Sequence, residues 1–127
     1  MTVTTRAGSS RQALHNAWSA ELAAARDAHA RGADPIEWTH LERAHILSQP
    51  MAVRHVRTHV AMLRYGLRRH DRREVVGQLV RMMVAGPGSV TRRYPVGNTG
   101  GADVSAFAPM PIPEDLRPLL PETDEAP

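Results

Sequence analysis

Prolines set the tightest limit on how this chain can fold. Only Pro35 and Pro50 fall between residues 10 and 85, and the other eight of the ten come later, with most of the glycines. A proline lacks the amide hydrogen and clashes with the preceding turn. It therefore suits the first turn of a helix or the residues beyond its end, not the interior. The first two thirds of the chain can be helical. The last third can form neither a long helix nor a central strand.

Four helices are expected. The first runs from Ser10 to about Arg31, capped by Ser9 or Ser10 and ended by Gly32. "GADP" is a turn, with Asp34 as N-cap and Pro35 in the first turn of the second helix. That helix covers "IEWTHLERAHIL" and stops before Pro50. The third covers roughly Val53 to Arg69. After a polar break, Asp71 caps a fourth helix from about Arg72 to Val84, ending at "AGPG". The fold class is all-α: a bundle, or stacked hairpins resembling a tetratricopeptide unit. Residues 1–9 are expected as a flexible arm, 10–85 as the helical domain and 121–127 as a disordered tail. Residues 86–120 hold too much Val, Phe, Met and Ile for a solvated linker. They are expected as an extended arm packed on the helices.

Composition removes several kinds of chemistry. The absence of cysteine excludes disulfides, thiolate zinc sites and a thiol nucleophile. All sixteen basic residues are arginines, so no Schiff-base lysine or P-loop lysine exists. The net charge of +3 permits an anionic partner without demanding one. No run reaches membrane-span length and no secretory signal opens the chain, so a cytoplasmic protein is expected.

Four of the seven histidines crowd between Trp38 and His59. A helix turns about 100° per residue, so spacing assigns faces. In the first helix Glu21 falls within the stripe Leu14, Trp18, Leu22 and Ala25. In the second, Trp38, Leu41 and His45 share a face, with Glu42 beside it. Glu42 and His45 are three apart, the Glu-x-x-His spacing of carboxylate-bridged metal bundles. In the third, Val56, Val60, Leu63 and Leu67 form the apolar stripe, bordered by His59, with His55 one turn away. A carboxylate on an apolar stripe needs a partner or an ion. Glu21, Glu42, His45 and His59, with His55 in reach, are therefore candidate ligands of a divalent zinc, iron or manganese ion. The alternative is a buried polar network that fixes helix register. On that reading His45 is a core histidine bonded to a backbone carbonyl or to Glu21. His45 and Glu42 can also be read as a metal-free acid–base pair.

Other features carry blander readings. Arg54, Arg57, Arg64 and Arg68 line the opposite face of the third helix and could bind a protein partner. Without an aromatic platform, nucleic acid is not expected. A protein partner or a homo-oligomer is the alternative to a metal-based function. Glu74, Gln78 and Arg81 read as a solvated stripe. "PVGNTGGADVSAF" reads as a tight structural turn, an amide nest for an anion, or a cover over the polar site.

"HLERAHILSQ", "HVRTH", "EVVGQL" and "GNTGGADVSAF" followed by "PIPEDL" resemble the small bacterial proteins classed as domain of unknown function 3703. The resemblance spans about Glu21 to Leu116 and implies a complete domain. It supplies no activity and no catalytic residues.

Overall fold

The structure is a computed structural model that describes residues 3–122. Four α-helices and one 3-10 turn follow in order: α1 (Val3–Ala30), α2 (Asp34–Ser48), α3 (Ala52–Arg68), α4 (Arg72–Thr91) and the turn Arg117–Leu119. No strand occurs among the described residues. Each helix packs on the next in sequence, and the C-terminal 3-10 turn returns to α1. The expected disordered tail falls, from residue 123 onward, outside the described residues.

Local chemistry sets most helix ends. Gly32, at φ +68°, closes α1, and the Ala33 amide donates to the Ala28 carbonyl. Pro50 separates α2 from α3. Asp71 caps α4 by accepting from the Glu74 amide at 3.0 Å. Three details differ from expectation. The first helix already runs from Val3, so residues 3–9 are helical. Ala33, not Asp34, is the cap residue of α2, and the Asp34 carboxylate pairs with Arg69 instead. The fourth helix continues through Pro87 to Thr91. A proline deletes one rung of the helical ladder, not all of them, and Ser89 is anchored one half-turn later. Its hydroxyl donates to the Gln49 carbonyl at 2.5 Å.

The apolar core has two parts. Leu14, Trp18, Ala44, Ile46, Leu47 and Leu116 form one; Ala25, Leu41 and Met62 form the other. Ile112, Leu119 and Leu120 pack on the first, which draws the proline-rich arm over α1 and α2. Arg43 ties the same layers, bonding Glu21 at 2.8 Å and Asp115 at 2.5 Å.

Two faces are rotated from the expected ones. The buried side of α3 is His55, Thr58, His59, Met62 and Gly66, while Leu67 is exposed. On α4, Glu74, Gln78 and Arg81 are buried, not solvated, and Val76, Val80 and Met83 face outward. The polar faces turn inward because they meet one another there. Buried polar groups are tolerated once hydrogen-bonded.

Candidate metal centre

Three imidazoles meet between α2 and α3. His45 comes from the last turn of α2; His55 and His59, four residues apart, come from one face of α3. The Nε2 atom of His45 lies 2.9 Å from that of His55 and 3.1 Å from that of His59. All three rings are buried.

The other ring nitrogens decide what these short contacts mean. The Nδ1 of His45 faces the Asn98 carbonyl at 2.7 Å, which can only accept. The Nδ1 of His59 faces Gln78 Oε1 at 2.5 Å. That amide cannot be turned over, because its NH2 group already donates to Glu74 Oε1 at 2.5 Å and to the Gly100 carbonyl at 2.7 Å. The Nδ1 of His55 faces Ser89 Oγ at 2.8 Å. The single hydroxyl hydrogen of Ser89 is committed to the Gln49 carbonyl, so Ser89 accepts. Each Nδ1 therefore carries the hydrogen, and each Nε2 presents a bare lone pair.

The His45 lone pair lies 2.9 Å and 3.1 Å from those of His55 and His59, and with no proton between them they repel one another. Burial keeps protons away: His55 is lowered to about 3 and His59 to about 4, while His45 falls well below the usual imidazole range. Desolvation is the first cause in every case. The neighbouring imidazoles add to it for His45 and His55, and the Gln78 hydrogen bond opposes it at His59. Arg81 lowers His45 and His59 further. A buried acceptor without a donor costs about 1–3 kcal/mol. A cation removes that cost at all three nitrogens together. Zn–N bonds near 2.05 Å at tetrahedral angles separate two nitrogens by about 3.3 Å. The two separations from His45, 2.9 Å and 3.1 Å, lie just inside that value.

The glycine segment roofs the cluster. Asn98 and Gly100 supply the carbonyls that hold His45 and Gln78. Gly100 sits at φ +83°, and a Cβ there would lie 2.6 Å from the His45 ring. Asn98 fixes the loop, accepting from the Gly100 amide at 2.9 Å and donating to the carbonyls of Ser105 and Ala108. Of the readings open for this segment, the cover over the polar site is the one the geometry shows. Behind Gln78, Glu74 accepts from Gln78 and from the Ala102 amide at 3.0 Å.

The candidate carboxylates stand apart from this cluster. Glu21 bonds His40 at 2.6 Å and Arg43 at 2.8 Å. Glu42 is held by the Trp38 side chain. Its carboxyl is raised by burial, then by the charges of Asp103 and Glu74. Among the described residues, the three histidines are the group whose ligand atoms come together, all within 4.8 Å. Gln78, Ser89, Asn98 and Gly100 complete the site. The i, i+4 pair Glu74 and Gln78 on one helical face is the sequence signal that finds part of it.

The arginine face is partly engaged. Arg54 and Arg57 lie over the Trp18 ring, each 5.8 Å from its centre, and Arg68 pairs with Glu37. No described helix is long and apolar enough to cross a membrane.

Fold and site thus define a small all-α protein that buries a three-histidine cluster under a glycine-rich roof. The chain belongs to the family described as protein of unknown function (DUF3703), whose model matches residues 12–120. Among curated proteins and solved structures, none matches the chain.

Proposed function

We propose that this protein binds one divalent transition-metal ion through the Nε2 atoms of His45, His55 and His59. The observation that carries the reading is the acceptor placed at each Nδ1: three acceptors behind the rings leave three lone pairs in front. Metal-binding histidines commonly have such a partner on the second nitrogen. An all-imidazole set favours zinc, iron, nickel or copper(II) over manganese, which prefers carboxylate and water. Three protein ligands leave a position free for water or substrate, the pattern of catalytic zinc sites and not of closed structural ones. An ion held this way can make bound water acidic or polarise a carbonyl. That supports a metalloenzyme or metal handler over a purely structural metal protein.

The test is zinc titration calorimetry on tag-free, chelator-stripped protein. One ion per chain is expected, with affinity reduced at least about a hundredfold in a His55→Ala/His59→Ala double variant. Glu21→Ala and Glu42→Ala should keep wild-type affinity. Negligible binding by the wild type, or equal binding by the double variant, rejects the reading.

A second reading, an interaction module, is favoured by the outward apolar stripe of α4, where Met83 is 81% exposed. On this reading α4, more than the arginines, contacts a second copy of the chain. Sedimentation should then show a concentration-dependent dimer that Met83→Asp abolishes. A monomer at every concentration rejects it.

A further inference from the structure

We infer that the metal centre takes a small organic carboxylate, bound between the ion and Arg81. This rests on the metal reading above and names the ligand class of the same site. The three imidazoles line one wall of a cavity of about 90 Å³. Arg81 lines it too, and is itself only 8% exposed. One of its terminal nitrogens donates to the Val104 carbonyl at 2.6 Å, but its Nε–H is buried and meets no acceptor in the protein. An unpartnered buried guanidinium hydrogen is costly unless an acceptor arrives from outside.

The lining settles the sign and the class. Arg81 and Arg93 contribute to it and no aspartate or glutamate does. Glu74 and Asp103 act on Arg81 from outside the lining, and Glu74 is taken up by Gln78 and the Ala102 amide. A ligand here faces an ion and a guanidinium, so it is an anion. The remaining wall is largely apolar, including Val84, Ala85, Pro95 and Phe107. The Gln49 and Asn98 amides in it already donate to backbone carbonyls, which leaves Tyr94 beside the two arginines as a donor. This wall suits a carboxylate with a short hydrocarbon body, one oxygen toward the ion and the other toward the Arg81 guanidinium.

The experiment uses the full chain loaded with cobalt(II), whose visible absorption reports coordination. Sodium propionate is titrated in, with inorganic phosphate as the comparison. A saturable spectral change with propionate is expected. Arg81→Met should show the same starting spectrum and about tenfold weaker propionate binding. Arg81→Lys takes its place if the methionine variant does not fold, with a smaller but measurable loss. The inference is overturned by a cobalt spectrum that propionate leaves unchanged, by equal affinity in the folded Arg81 variant, or by phosphate binding as tightly as propionate. Those results leave the metal reading standing. Failure to bind cobalt at all rejects that reading and this one together.

Discussion

Gln78 is the side chain on which the centre turns. It is fully buried, and all three of its amide contacts point at different elements: His59 on α3, Glu74 on α4 and Gly100 in the roof. Replacing it by leucine keeps the volume but strands the His59 hydrogen and the Glu74 carboxylate. We expect Gln78→Leu to lower zinc affinity about 10–100-fold and to destabilise the fold by about 1–3 kcal/mol. Calorimetry and urea unfolding read the two effects separately, and unchanged values in both would contradict this role. Gly100→Ala acts differently. Its methyl group meets the His45 ring and its backbone is held at positive φ, so a loss of about 1–3 kcal/mol is expected from strain alone. Zinc affinity should fall with it, since His45 must shift. A variant with wild-type unfolding and zinc binding would show that the roof is not seated on the ring. Gly97 is bound by the same logic, with the Met110 carbonyl against it.

At the scale of the helices, what the sequence makes legible is the breaks between them, though not the start of α1 or the end of α4. Gly32 and Pro50 act through their own backbone geometry and Asp71 through its side chain, and each acts as expected. Asp71→Ala should accordingly cost about 1 kcal/mol through loss of the α4 cap, measured by chemical unfolding. Stability within error of the wild type would mean that the Glu74 amide is satisfied elsewhere. Which face turns inward is less legible, because it depends on partners far along the chain. On α3 the valine and leucine stripe suggests one face, yet the buried one carries His55, Thr58 and His59. Thr58 is buried because the Trp18 indole donates to it at 2.9 Å across α1 and α3. On α4 the stripe of Glu74, Gln78 and Arg81 looks solvated in isolation. It is buried because the glycine segment supplies carbonyls and an amide to satisfy it. His45, His55 and His59 could be picked out by their position beside apolar residues. Glu21 and Glu42 share that position but not that fate. Glu21 finds a cation, Arg43, one helix away, and Glu42 finds the indole of Trp38 one turn before it.

Across the whole molecule, the apolar core and the polar centre share the work of joining the elements. Leu116 and its neighbours hold the arm to α1 and α2, while the imidazole cluster joins α2, α3, α4 and the roof. This coupling makes the metal-free protein sensitive to acid. Its three central imidazoles are held neutral, below their unfolded range, first by burial, and His45 and His59 also face Arg81. The unfolded chain takes up protons below about pH 6.5 while the folded chain does not. Stability is therefore complete above that pH and falls as pH drops toward about 4. From pH 7 to pH 5, His55 and His59 should each remove about 2 kcal/mol. Thermal unfolding of stripped protein should show the decline, and His55→Phe/His59→Phe should flatten it. A melting temperature independent of pH over this interval would contradict the burial of neutral rings. The most direct measurement is long-range ¹⁵N–¹H NMR of the histidine side chains in stripped protein, followed by one equivalent of zinc. Three rings with hydrogen on Nδ1 are expected, with a joint shift of their three Nε2 signals when zinc is added. Hydrogen on Nε2 of any of the three, or signals that zinc leaves in place, would contradict the metal centre.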